Sequence, residues 1–359
     1  MHTGASAEDQ ALSTDEVARA LREVLDSRRN VDYSSAEVLQ RVSVCSSRVT
    51  VHLALQVSGS AELEELDTAV SERLRALGAS DVEVVIRRPE RSHAGLRGRG
   101  DPWAGQVRLA TVQHVVAVGA GKGGVGKSTI AVNLALALGR EGLRVALLDA
   151  DIYGPSLPIL LGIEDGAARA RMTPERHIVP LEAHGVPLVS FGFFLGESSP
   201  AIWRGPMVAK AVQQFARGVA WPSLDVLVVD LPPGTGDVPL SLAQAIELSG
   251  AVVVTQPSRV AAAEARKACQ MFTALDVPVL GVVENMTGAF GIGAGRSLSA
   301  ELGVPFLGDV PFDAEIVREG DVGTPTIIAR AGSHAAVSFD RIAQRVAEAL
   351  GWRRVAAIR

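Results

Sequence analysis

A doubly wound, mostly parallel α/β sheet preceded by a small α+β domain is the architecture the sequence predicts, on three observations. Apolar runs at 115–118, 145–148, 225–230, 252–255 and 279–283 alternate with helical stretches, as buried parallel strands alternate with crossover helices. The first run feeds a glycine-rich turn that opens a helix. Ahead of it, residues 13–87 read as helix, hairpin, helix and strand, and an Arg-, Gly- and Pro-rich stretch separates the two patterns. The predicted domains are a flexible tail over 1–12, the α+β domain over 13–87, a linker over 88–110 and the large domain over 111–359.

Composition narrows the function classes. A chain of 359 residues exceeds one ordinary core, and its 47% hydrophobic residues and mean hydropathy of +0.22 suffice for a substantial interior. A net charge of -5 gives no general attraction to nucleic acid or an anionic membrane, so neither is expected as a partner. Residues 1–10 lack an apolar core and no apolar run is long enough to span a bilayer, from which a cytoplasmic location is expected. Only Cys45 and Cys269 occur, far apart, so cysteines write neither a disulfide framework nor a metal-ligand spacing.

In the first domain, Ser13 and Glu16 have capping-box spacing, and Val17, Leu21, Val24 and Leu25 recur at helical period, so a helix starts near Thr14. Val49, Val51, Leu53, Leu55 and Val57 alternate with polar or small residues, with Val42 and Val44 across a Ser46-Ser47 turn, which predicts a hairpin. A second helix through Leu63, Leu66, Val70, Leu74 and Leu77 closes at Gly78, and a strand follows over 82–86. Arg87 at the end of the domain and Arg88, Arg91, Arg97 and Arg99 of the linker form an arginine-rich run. Without interleaved aromatics it is read as a solvated tether.

The central motif is Gly121-Lys122-Gly123-Gly124-Val125-Gly126-Lys127-Ser128-Thr129, in which Gly121, Gly126, Lys127 and Ser128 satisfy G-x-x-x-x-G-K-[ST]. Glycines let several backbone N–H groups converge on one polyphosphate, and the helix that follows adds the positive end of its dipole. Lys127 is expected at the β and γ phosphates, Ser128 at Mg²⁺ and Thr129 at the α-phosphate. The strand over 145–148 ends in Asp149-Ala150-Asp151, and carboxylates past the carboxyl end of a parallel strand face the ligand crevice, unless they merely cap the next turn. The strand over 225–230 ends at Asp230 and runs into Leu231-Pro232-Pro233-Gly234-Thr235-Gly236-Asp237. That pattern suits a carboxylate holding a magnesium-bound water and a loop that moves with the γ-phosphate. A hairpin is expected between 178 and 194, and a helix from Trp203-Arg204-Gly205-Pro206-Met207. Cys269 falls among Ala265, Ala268, Met271 and Phe272 and is read as a core residue. The helix over 337–350 is expected to pack on the sheet and not to anchor in a membrane.

The loop K-G-G-V-G-K-S-T resembles the deviant Walker motif of the MinD, ParA and nitrogenase iron protein class, where the extra lysine, here Lys122, reaches the partner subunit's nucleotide. The resemblance implies a homodimer with ATP at its interface. Asp149-Ala150-Asp151-Ile152-Tyr153-Gly154-Pro155-Ser156, Trp-Arg-Gly-Pro-Met and Asp-Leu-Pro-Pro-Gly-Thr-Gly-Asp resemble the Mrp/ApbC family of P-loop ATPases. By that resemblance Asp151 orients or activates the attacking water, Asp149 serves the magnesium shell or holds Asp151, and Asn285, Pro311 and Asp313 contact adenine. It implies an ATPase that carries iron–sulfur clusters and delivers them to apoproteins or works with assembly proteins. The amino-terminal domain resembles one fused to some iron–sulfur assembly ATPases, but lacks that domain's Thr-x-x-Cys-Pro turn. Thr287–Gly295, where cluster-carrying members place Cys-x-x-Cys, holds no cysteine. No cluster ligands are assigned, and the isolated chain is expected to bind an iron–sulfur cluster weakly or not at all. The alternative is a nucleotide-switched dimeric recruitment protein, closer to MinD or ParA, that holds no cluster.

Overall fold

A computed structural model describes residues 13–27, 39–45, 48–54, 60–87, 106–152, 154–163, 171–193, 215 and 218–354. The tail, most of the linker and the helix expected from Trp203 lie outside the described residues. The chain divides into two units, one of 1–97 with 347–359 and one of 98–346.

In the smaller unit, α1 (Thr14–Ser27) starts where the capping box places it. Ser13 Oγ accepts from the Glu16 N–H (3.2 Å), and Glu16 Oε2 accepts from the Ser13 N–H (3.2 Å). Ser13 Oγ also donates to Glu16 Oε2 (2.8 Å), and that bond first, with the Ser13 N–H second, holds the Glu16 carboxyl below its ordinary pKa. β1 (Leu39–Cys45) and β2 (Arg48–Ala54) form the expected antiparallel hairpin; α2 (Ser60–Ala76) then leads to β3 (Asp81–Arg87), parallel to β2. Val17 and Leu21 of α1, Val49, Val51 and Leu53 of β2 and Leu66, Val70 and Leu74 of α2 bury one core between the helices and the sheet.

The larger unit is an eight-stranded sheet. In chain order its elements begin β4 (Val112–Ala120), α3 (Lys127–Arg140), β5 (Val145–Asp149) and α4 (Leu157–Leu160). A two-stranded ribbon of β6 (Arg171–Met172) and β7 (Ile178–Val179) and a hairpin of β8 (Leu181–Ala183) and β9 (Val186–Ser190) follow. Next come β10 (Leu224–Asp230), α5 (Asp237–Ala245), β11 (Gly250–Thr255), α6 (Arg259–Ala274), β12 (Val279–Thr287), α7 (Ala294–Leu302) and β13 (Phe306–Pro311). The unit closes with α8 (Ala314–Asp321), α9 (Thr326–Ala329) and most of α10 (His334–Ala349).

The spatial order is β13-β12-β11-β4-β10-β5-β9-β8, all parallel except for β8 at one edge. The chain leaves β4 towards β5 and β9, returns through β10, then crosses to β11, β12 and β13. This reversal of direction opens a crevice at the carboxyl end of β4, where such sheets take ligands. Val115, Ala117, Leu227, Val229, Ala251 and Val253 face one core with Leu242, Phe272 and Leu298. Their strand neighbours Val116, Val118, Val226 and Val228 are equally buried on the other face, beside α3. Helix α3 is apolar nearly all round, and each fully buried leucine, such as Leu134 or Leu138, contributes about 1.5–3 kcal/mol.

Three expectations need correction. The large domain does not hold everything after 110: β14 (Trp352–Arg354) is antiparallel to β3 at the edge of the small unit's sheet, ordered β1-β2-β3-β14. A three-residue strand of Trp-Arg-Arg carries no period-two pattern, and its pairing is long-range. The linker ends earlier than 110, because the Val107 N–H donates to the Ala245 carbonyl (3.0 Å) and so joins the large unit. The strand expected over 279–283 is longer, running on through Asn285 to Thr287 with Met286 at a φ of 62°.

Candidate functional site

The loop after β4 is shaped by close packing as much as by turning. Gly124 and Gly126 have φ of 77° and 80°, the left-handed region that favours glycine. A Cβ at Gly121 would lie 2.1 Å from the Glu264 carbonyl of α6, and one at Gly126 would lie 2.3 Å from Asn285 Nδ2. Two side-chain amides grip the loop from β12 and from the end of β11. Asn285 Nδ2 donates to the Val125 carbonyl (2.9 Å), and Gln256 Nε2 donates to the Gly124 carbonyl (3.0 Å) and to Met286 Sδ (2.9 Å). With those carbonyls turned to the amides, the loop can aim its N–H groups at an anion, backed by the amino end of α3.

Lys127 Nζ donates to Asp230 Oδ1 (2.5 Å) and to Ser128 Oγ (3.1 Å), with Lys127 and Asp230 both buried. Asp230 Oδ2 is buried and has no hydrogen-bond partner among the described residues. Burial pushes the Asp230 carboxyl up, against the pull of Lys127 and Ser128. A hard carboxylate oxygen left over beside a serine hydroxyl is the donor chemistry that Mg²⁺ takes, so these residues fit a magnesium–nucleotide.

Asp149 is the register partner of Asp230 on the adjacent strand. Burial first, and the neighbouring Asp230 charge second, push its pKa up to about 7. Its oxygens are otherwise engaged: Oδ1 accepts from the Asp151 N–H (3.1 Å), and Oδ2 from Ser190 Oγ (2.9 Å) and the Leu157 N–H (3.3 Å). Asp151 follows, buried, with Oδ1 accepting from the Gly154 N–H (3.2 Å). Thus the amino end of α3 and the ends of β5 and β10 bring Lys127, Ser128, Asp149, Asp151 and Asp230 to one end of the sheet. Lys122, half-buried in the loop, makes no side-chain hydrogen bond or ion pair among the described residues.

Pro311 pairs in register with Thr287, one strand beyond the Asn285 strand. Asp313 caps α8, with Oδ1 accepting from the Glu315 N–H (2.9 Å), and Oδ2 lies 2.8 Å from Arg330. The Glu315 N–H and then Arg330 hold its carboxyl below the usual range. Sequence reasoning missed Gln256, Ser190 and Glu284, single polar residues in or just beyond strands that carried no motif. Glu284 is buried and accepts from the Gly293 N–H (2.9 Å) and the Gly295 N–H (3.2 Å), which fixes the cysteine-free turn after β12. Cys269 is buried in α6, as expected of a core residue, and burial pushes its thiol up to about 11. The Cys45 side chain lies outside the described residues.

Comparison with known proteins places this geometry. The family described as NUBPL iron-transfer P-loop NTPase matches residues 111–347. The chain belongs to this family. A second family, described as iron-sulfur cluster assembly protein, matches residues 14–86. Relatives of the iron-transfer NTPase include an iron-sulfur cluster carrier protein from Deinococcus radiodurans, 41% identical over 93% of this chain and 94% of its own. Those from Synechocystis and Escherichia coli K12 are each 37% identical, over 94% and 89% of this chain and 97% and 88% of theirs. Among solved structures, a nucleotide-binding protein from Archaeoglobus fulgidus in complex with ADP is 35% identical, with a TM-score of 0.53 over 60% of this chain and 88% of its own. MinD from Aquifex aeolicus shares the fold, at 18% identity and a TM-score of 0.51 over 68% of this chain and 100% of its own. The Mrp/ApbC resemblance and the doubly wound fold stand. No described helix is long and apolar enough to cross a membrane.

Proposed function

We propose that this chain binds and hydrolyses ATP and serves iron–sulfur cluster transfer, with the cluster as cargo for apoproteins. The buried Asp230 Oδ2, which has no partner among the described residues, supports the nucleotide part most directly, and the relatives named as cluster carriers support the rest. Gly121 to Gly126 wrap the phosphates, Lys127 leaves Asp230 for the β and γ phosphates, and Thr129 meets the α-phosphate. Ser128 and Asp230 would hold Mg²⁺, directly or through water, and the ion would supply neutralisation of the phosphate charge. Asp151 orients the attacking water and accepts its proton. Asp149 holds the Asp151 backbone, the one of its two expected roles that its hydrogen bonds support. Asn285, Pro311 and Asp313 form the adenine side.

Lys122, with no side-chain partner among the described residues, reaches across an ATP-bridged homodimer. Lys122→Ala is expected to keep nucleotide affinity and to lose ATP-dependent dimerisation in light scattering together with turnover. A mutant that dimerises and hydrolyses normally removes the cross-subunit role.

The second reading, a nucleotide-switched recruitment protein without a cluster, is favoured by two observations. The turn over Thr287–Gly295 has no cysteine, and the Cys269 thiol is buried and held protonated. About four thiolates usually hold a cluster, and the two cysteines of each chain sit in separate units. Anaerobic reconstitution with iron and sulfide is expected to leave little cluster on the isolated protein after gel filtration. Near-stoichiometric iron that survives the column and is lost in Cys269→Ala would make that residue a ligand and restore the plain carrier.

A further inference from the structure

Beyond the phosphate cradle, a line of hydrogen bonds and ion pairs runs from the first turns of α3 to the turn after β13. Asn133, buried on α3, donates through Nδ2 to the Thr129 carbonyl (2.9 Å), while its Oδ1 accepts from the Ile327 N–H at α9 (3.0 Å). The preceding residue, Thr326, donates through Oγ1 to Glu319 Oε2 (2.6 Å). Glu319 also takes Nε of Arg330 on Oε1, and Arg330 continues to Asp313 Oδ2 (2.8 Å). The Asp313 to Arg330 segment is therefore a strap whose inner face touches α3 and whose outer end grips the turn after β13.

The same strap lies close against the end of α4 and the stretch that follows it. A Cβ on Gly323 would fall 2.1 Å from Gly162 Cα, and one on Gly320 would fall 2.9 Å from Leu160. His184 Nε2, at the hairpin turn, lies 2.9 Å from the Gly323 carbonyl. Backbone that packs this tightly moves as a unit, since neither partner has free volume to yield into.

We infer that Asn133, Glu319 and Arg330 are positioning residues of the nucleotide site, joining the turn at Asp313 to the carbonyl of Thr129 so that one connected unit registers both ends of a bound nucleotide. The inference rests on the nucleotide reading above and deepens it. None of the three touches phosphate in the proposed arrangement. Each acts through a neighbour: Asn133 through Thr129, Glu319 through Arg330, and Arg330 through Asp313. Charge-assisted bonds within a partly buried network make it stiff, and a stiff network transmits displacement where a row of surface ion pairs would not.

The test is calorimetric titration of the full chain with Mg·ADP and with Mg·pyrophosphate, which shares only the phosphate end. Arg330→Ala is expected to weaken ADP about tenfold and pyrophosphate by less than about twofold. In an Asn133→Ala background the same substitution is expected to have little further effect on ADP, because the line is already cut. Equal loss of both ligands would mark Arg330 as merely structural, and additive losses would mean that the two residues act independently. Either result overturns the inference. Where Arg330→Ala does not fold, Glu319→Gln, which keeps the volume and removes the charge, runs through the same comparison. Wild-type protein that binds no ADP would instead overturn the nucleotide reading itself, so the two failures are told apart by the first titration.

Discussion

The ends of β5 and β10 carry two aspartates in register, both buried, with opposite hydrogen bonding. Asp149, at the end of β5, spends its oxygens on Asp151, Leu157 and Ser190; Asp230, at the end of β10, gives one oxygen to Lys127 and leaves the other without a partner among the described residues. A carboxylate that is fully hydrogen-bonded shapes a loop. One that is half-bonded in the interior is held ready for a ligand, because leaving a buried acceptor unmet costs about 1–3 kcal/mol.

The largest expected effect follows from removing the ready oxygen. Asp230→Asn is expected to lower Mg·ATP hydrolysis about 10³-fold in a steady-state assay and to weaken the dependence of nucleotide affinity on magnesium. If Asp149→Asn abolishes that magnesium dependence to the same extent, the distinction between the two ends collapses. Asp151→Asn keeps the shape of its side chain and removes the charge that polarises water. Turnover is expected to fall about 10²-fold with ADP affinity unchanged. Normal turnover would move the water-activating role elsewhere.

The third effect is on stability, a different readout, and has a definite sign. Asp149 has a folded-state pKa of about 7 against an ordinary value of 3.8, so between those values the folded chain binds a proton that the unfolded chain has released. Its contribution is fully present below 3.8 and is lost as pH rises through about 7. Urea midpoints of the nucleotide-free protein are expected to fall across that window by up to about 1.4 kcal/mol per pH unit in stability. Asp149→Asn is expected to flatten the profile. A wild-type midpoint that rises between pH 5 and 7 would show that Asp149 is ionised and stabilised in the fold.

The same contrast divides what was legible in the sequence. Asp149, Asp151, Asp230 and the cradle stand in local phrases, where spacing alone aims each group at the crevice. The capping box of α1 is equally local, and Ser13 and Glu16 do meet. Gln256, Ser190, Asn133 and Glu319 are not in phrases. Gln256 finds Gly124 from 132 positions away and Asn133 finds Ile327 from 194, distances over which only the closed sheet brings residues together. A glycine motif reads as freedom to turn, yet Gly121 is required by the approach of Glu264, and Gly126 by Asn285 as well as by its left-handed φ. A motif shows which backbone is needed, but not what presses against it.

The pairing of β14 with β3 has a consequence for synthesis. The small unit is sewn from two distant parts of the chain, with the whole nucleotide unit made in between. On the ribosome, β1, β2 and β3 emerge early, but one flank of β3 waits bare until Trp352–Arg354 have been translated. An uncovered flank is a template for pairing with another nascent chain, and the two Val-rich strands beside it are poor company in that interval. The small unit therefore starts first and finishes last, and premature termination after α10 would leave it with a three-stranded sheet open to aggregation.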